Sequence, residues 1–328
     1  MNRILACTAS DFGKETTPLE IKNAIKASEG RVVLVNLAAE NAPLYPEVTN
    51  GEMAAAFGAD LLLLKGIDVK TLKIAGLGEI SHLSELRKLT GTGVGINLEI
   101  ADGGPEFKRL TPASLAEVLT KGADFLSLTA YVKPEATPER IISDIHLVRG
   151  SYAGLLALNP VLSHGADLKL EYLLAYVEAG VDLLTLPAPG AVAGVTEAKL
   201  AEIILAVRAA GALVSTTVGT SQEGTDKATI QSIALAAKRA RADVFELGDA
   251  GVAGMPVPTT IIMPLSRFVV AVIPLFVWRV VPTVRAYLSK KRDEGTFHLL
   301  FFKKKQFIDY GEKNVERKNN SKKFYFKS

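Results

Sequence analysis

At 328 residues, 48% of them hydrophobic, the chain is long enough for one large domain or two, and its single cysteine, Cys7, excludes an internal disulfide. The net charge of +3 is uneven: residues 264–328 carry ten Lys and five Arg against two Asp and three Glu, which leaves residues 1–263 at −7. A mildly acidic body speaks against a nucleic-acid partner and suits an enzyme of small molecules. Met1–Ser10 lacks the basic start and apolar core of a secretory signal. With the lone thiol, this predicts a reducing compartment, the cytoplasm.

In chain order, Thr17-Pro18-Leu19-Glu20 reads as a capped helix start with Pro at the first helical position, so Leu19–Ser28 is expected to be a leading helix. Eight short apolar runs follow: Val32–Leu37, Asp60–Leu64, Val94–Ile100, Asp124–Thr129, Ala153–Leu158, Asp182–Leu186, Leu213–Val218 and Asp243–Leu247. Their starts lie 28, 34, 30, 29, 29, 31 and 30 residues apart. Continuous apolar runs suit parallel strands buried on both faces, and the intervals hold the crossover helices that parallel pairing requires. Eight such units predict a (β/α)8 TIM barrel occupying residues 1–262. Gly58-Ala59-Asp60, Gly122-Ala123-Asp124, Gly180-Val181-Asp182 and the variant Arg241-Ala242-Asp243 each open a run, as expected for a helix that ends in a left-handed turn before a buried strand. Gly165-Ala166-Asp167 repeats the letters but leads into Leu168–Gly180, which reads as a helix.

Residues 263–328 differ in kind. They hold twelve of the 22 aromatics, including Trp278, and basic coil such as Lys303-Lys304-Lys305. No amphipathic eighth helix is visible there. Permitted codons for Arg267–Val281 can be chosen so that an adjacent reading frame encodes an arginine-rich amphipathic helix, which points to a frame shift near Met263–Ser266. If the tail is genuine, its Lys and aromatics point to contact with a membrane surface, the competing reading being a nucleic-acid tail.

Barrel active sites lie at the C-terminal ends of the strands. That rule selects Asn36, Lys65, Asn97, Glu99, Thr129 and Asn159 from the first five strands. The glycine-rich loops Gly219–Thr225 and Gly248–Gly254 follow strands seven and eight, where barrels often hold a phosphate on backbone N–H groups. Gly219, Thr220, Ser221, Gly224, Gly248 and Gly251 are therefore candidate anion contacts, against the alternative of simple strand-exit turns. Glu99 shares a strand face with Asn97 and could serve as a base or hold Mg²⁺, with Asp249 as a second ligand or acid. Glu246 also flanks the strand-eight exit and could face either way. His164, after strand five, is a candidate general acid or base, while His82 and His146 fall in helical stretches. Lys65 is a substrate contact or, less simply, a Schiff-base lysine.

Several segments carry a family resemblance: Thr8-Ala9-Ser10-Asp11-Phe12, Ala27-Ser28-Glu29-Gly30-Arg31, Gly95-Ile96-Asn97-Leu98-Glu99, Leu186-Pro187-Ala188-Pro189-Gly190, Gly219–Gly224 and Gly248–Gly251. Through them the chain resembles a bacterial family of TIM barrels filed as haloacid-dehalogenase-like hydrolases or as phosphoenolpyruvate-phosphonomutase-like proteins. The hydrolase label implies two aspartates two positions apart, and no pair in this chain is so spaced. The expectation is a lyase or isomerase of a small phosphorylated or carboxylated metabolite, with a homo-oligomer open to it. The alternative is a non-catalytic metabolite-binding barrel or partner subunit.

Overall fold

The computed structural model describes residues 3–12, 16–43, 46–130, 135–160, 168–218 and 226–250. Eight parallel strands close into a barrel: β1 (Val32–Ala38), β2 (Leu61–Lys65), β3 (Gly93–Ile100), β4 (Phe125–Ala130), β5 (Leu155–Asn159), β6 (Leu183–Pro187), β7 (Leu213–Thr217) and β8 (Val244–Ala250). Each pairs with its neighbours in sequence, and β8 returns to β1. Helix α1 (Pro18–Ala27) precedes the barrel, and α2 (Asn50–Ala56), α3 (Ser84–Thr90), α4 (Pro112–Val118), α5 (Pro138–Arg149), α6 (Leu170–Glu178), α7 (Glu197–Ala209) and α8 (Lys227–Arg239) follow β1 to β7 in turn. The expected fold is the observed one. The position of an eighth outer helix lies outside the described residues, as do Gly165-Ala166-Asp167 and the entire tail.

Short polar residues start the helices. The side chains of Thr17, Thr49, Thr111, Thr137, Thr196 and Asp226 each accept a hydrogen bond from an N–H of the first turn, which would otherwise lack a partner. At α1 the box is reciprocal: Glu20 also accepts from the Thr17 N–H, and Pro18 stands at the first position, as the sequence predicts.

The four repeated aspartates are not strand residues, as the runs suggested, but stand one position ahead of β2, β4, β6 and β8. Each grips the strand before it in both directions. Asp60 accepts from the Val33 N–H (2.8 Å) and donates its own N–H to the Val33 carbonyl (2.8 Å). Asp124 does the same with Val94, Asp182 with Leu156 and Asp243 with Val214. The residue two places earlier has positive φ in all four: Gly58 (111°), Gly122 (70°), Gly180 (122°) and Arg241 (71°). That turn brings the chain from helix end to strand start in two steps. An arginine near the helix end preceding the gripped strand supports three of the clasps: Arg87 meets Asp124, Arg149 meets Asp182 and Arg208 meets Asp243.

Alternation along the strands divides the apolar core in two. Outward residues such as Val33, Leu62, Ile96 and Leu126 pack under the helices. Inward residues such as Leu34, Leu61, Phe125 and Leu183 fill the N-terminal half of the barrel. Ile4 and Phe12 from the leading segment, with Ile21, Ala24 and Ile25 from α1, join that inner cluster as a plug. Two inward glycines on β3 make the room. A Cβ on Gly93 would stand 2.7 Å from the Phe12 ring, and one on Gly95 would stand 2.4 Å from the Phe125 ring.

Candidate active site at the barrel mouth

Above the apolar half the barrel interior turns polar. The inward alternation that carries Leu34, Gly95, Phe125, Leu183, Leu213 and Val244 continues two residues on to Asn36, Asn97, Ser127, Thr185, Ser215 and Glu246, all buried. Glu246 is the centre of this layer, 3% exposed. Its Oε1 accepts from Asn36 Nδ2 (2.8 Å), and its Oε2 accepts from Thr185 Oγ (3.1 Å) and Ser215 Oγ (3.1 Å). Four strands, β1, β6, β7 and β8, thus converge on one carboxylate whose hydrogen-bond partners are all neutral. A buried carboxylate is costly relative to an apolar side chain of similar size, so stability does not account for its presence.

Two amide atoms in the layer remain unspent. Thr129 Oγ donates to Asn97 Oδ1 (2.7 Å), but among the described residues neither Asn97 Nδ2 nor Asn36 Oδ1 has a partner. Both residues are at most 2% exposed. A buried donor and a buried acceptor left unmade inside a barrel are places where a ligand's polar atoms would be repaid.

The next inward layer forms the rim. Lys65 ends β2, Glu99 is on β3, Thr129 on β4, Asn159 ends β5 and Gly248 is on β8. Glu99 pairs in register with Thr129, and Thr129 with Asn159, so these three neighbour one another around the rim. The sequence reading placed Asn36, Lys65, Asn97, Glu99, Thr129 and Asn159 at strand ends, and all six stand in this half of the barrel. Glu246, left open in the sequence, faces inward. On β8 the backbone of Asp249 lies in the strand within a register shift, since Val35 pairs with Leu247 but Leu37 with Ala250. Its side chain is outside the described residues, as are His164, Gly219, Thr220, Ser221, Gly224 and Gly251. His146 lies in α5 as read, whereas His82 stands ahead of α3, its Nδ1 2.9 Å from Ser84 Oγ.

Sequence reasoning missed Arg109. It lies on the connection after β3, bridges in parallel to Glu99, and the Leu110 N–H donates to the Glu99 carbonyl (2.7 Å). No strand-end rule points to a residue this far along a loop.

Among the described residues, no group of three or more His, Cys, Asp or Glu gathers to hold a metal ion. Mg²⁺ commonly takes one or two carboxylates and fills its remaining positions with water or ligand oxygens. Of the two described carboxylates in the mouth, Glu246 already accepts three hydrogen bonds, and Glu99 is the one a cation could use. A cavity of about 460 Å³ opens at the opposite, N-terminal end, beside Pro18, Ile21, Arg87 and Tyr152. Its ionic groups are already engaged, Arg87 with Asp124 at 2.9 Å, and burial pushes the Tyr152 phenol well above its ordinary range. That cavity belongs to the base of the fold.

These features define a (β/α)8 barrel with a polar interior at the C-terminal ends of its strands. The family model described as "Domain of unknown function (DUF7916)" matches residues 5–269, and the chain belongs to that family. No curated protein matches the sequence. Among solved structures, the chain is similar to an engineered protein from the Northeast Structural Genomics Consortium, with 14% identity, a TM-score of 0.53 and coverage of 82% of this chain and 76% of that one. A 2,3-dimethylmalate lyase of the PEP mutase/isocitrate lyase superfamily shares 14% identity over 71% of this chain and 81% of its own, with a TM-score of 0.43. The carboxyl transferase domain of Rhizobium etli pyruvate carboxylase shares 13% over 91% and 60%, with a TM-score of 0.44. At 14% identity the likeness to the engineered protein is one of fold.

Proposed function

We propose that the chain is a cytoplasmic lyase or isomerase acting on a small carboxylated or phosphorylated metabolite at the barrel mouth. The observation that carries this reading is the buried Glu246 carboxylate, held by three neutral donors beside two unspent amide atoms. A polar floor of this kind holds a ligand's hydroxyl or carbonyl against a group able to take or return a proton. Glu99 on the rim is the second acid, and Asp249 the third. Asn36, Asn97 and Asn159 orient the ligand. The loops around Gly219–Gly224 and Gly248–Gly251 would supply backbone N–H groups to a phosphate. Mg²⁺, where used, would sit on Glu99 and ligand oxygens and polarise the reacting carbonyl. Of the two labels in the family resemblance, only the phosphonomutase-like one agrees with this reading. The hydrolase chemistry needs an aspartate pair that the sequence lacks.

The test is a metabolite panel run on the full chain and on Glu246→Gln and Glu99→Gln. Gln is close in shape to Glu and can still accept from Asn36, so Glu246→Gln should fold and bind while turnover falls by at least about 10²-fold. Turnover that survives both substitutions would sink the catalytic reading and leave a metabolite-binding barrel. Activity before and after EDTA, with Mg²⁺ restored, reads the metal separately.

A further inference from the structure

Arg31, Arg87, Arg140, Arg149, Arg208 and Arg239 each meet a carboxylate. Arg109 meets none. It makes no ion pair or side-chain hydrogen bond among the described residues, and its Nε is buried without a partner. The guanidinium is half-buried, and the Nε–H is a buried donor that a ligand oxygen would satisfy.

Its position gives the vacancy a meaning. β2 pairs with β3 up to Leu64 and Ile96, and beyond that the segment holding Arg109 takes β2's place beside Glu99. Partners in a parallel ladder present their side chains on the same face. Glu99 continues the inward series Gly93, Gly95, Asn97, so Arg109 shares the face that looks into the mouth. Leu110, the next residue, is buried in the outer core, as alternation requires. One step below Glu99 on that face, Asn97 Nδ2 is the unspent donor. Strand spacing and rise put the Arg109 and Asn97 backbones roughly 8 Å apart. A planar fork above and an amide donor below would span two oxygens of one anionic group.

We infer that Arg109, assisted by Asn97, is the oxyanion anchor of the mouth, taking a carboxylate or phosphate of the ligand at the β3 side. The inference deepens the proposed function, and it adds an anion site separate from the loops after β7 and β8. Glu99, on the same face, opposes an anion there.

Calorimetric titration of the full chain with pyruvate and with inorganic phosphate tests it. Wild type should bind at least one probe, and Arg109→Gln should weaken that binding by about 10- to 100-fold. Arg109→Lys separates the two sources. A point charge keeps most of the affinity for phosphate, whereas a planar carboxylate loses the two-pronged contact and binds much more weakly. Glu99→Gln, which removes the like charge, should tighten the same probe. Unchanged thermal unfolding of Arg109→Gln shows that the fold is intact, and if that variant does not fold, Arg109→Ala carries the comparison. Binding to Arg109→Gln as tight as to wild type, or no binding of either probe to wild type, overturns the inference. Turnover unchanged in both Glu246→Gln and Glu99→Gln would instead sink the catalytic reading and leave the anion site standing.

Discussion

At Gly95 the Phe125 ring occupies the space where a Cβ would stand, 2.4 Å away, deep in the inner core. Gly95→Ala must displace that ring or the strand. It should cost about 1–3 kcal/mol, seen as a lower urea midpoint at unchanged slope. Gly103, where a Cβ would meet nothing within 4 Å, is the control, and Gly103→Ala should leave the midpoint close to wild type. Individual mouth residues were legible in the sequence wherever a polar side chain closed an apolar run, as Lys65 and Asn159 do, or interrupted one near its end, as Asn36 and Asn97 do. Glu246 was not, because every position of β8 from Val244 to Gly248 is buried and the letters alone give no face. Its parity with Val244 would have assigned it. Arg109 had no signal at all, since its place depends on a loop returning to the strand that it left.

Among elements, the aspartate clasps bind the strands in pairs: β1 with β2, β3 with β4, β5 with β6 and β7 with β8. Asp124 has the least exposed side chain of the ion-paired examples, with Arg87 also held by the Gly122 carbonyl (2.7 Å). Asp124→Ala strands that guanidinium and the Val94 N–H, and should cost about 3–5 kcal/mol in a denaturant titration. Asp243 gives a pH test. Burial holds its carboxyl above the ordinary 3.8, against the lowering effect of the Val214 N–H and Arg208. The folded chain therefore binds this proton more tightly than the unfolded one. The resulting stabilisation is present below pH 3.8 and is lost as pH rises through the raised folded value. Asp243→Asn cannot titrate, so wild type should gain stability relative to it as pH falls through that window. A difference that stays flat with pH would refute the assignment. The regular spacing of the runs made the strands readable. The clasps were not, because each joins residues 26 to 30 positions apart.

The whole molecule keeps an apolar half and a polar half inside one barrel, and the apolar half is closed from below by the chain's own leading segment. Ile25 is fully buried in that plug, and Ile25→Ala should cost about 2–5 kcal/mol, measured by chemical unfolding. The barrel and the leading helix were legible because period and capping are local. The division of the interior was not, since it emerges only when eight strands are set in register.

The pairing of the clasps sets where the molecule could be divided. A break between β4 and α5 severs none of the four, leaving two clasps in each piece, whereas a break between β3 and β4 opens one and frees Arg87 with it. Two separately expressed halves meeting at β4/β5 and β8/β1 should therefore reassemble more readily than pieces cut one strand to either side.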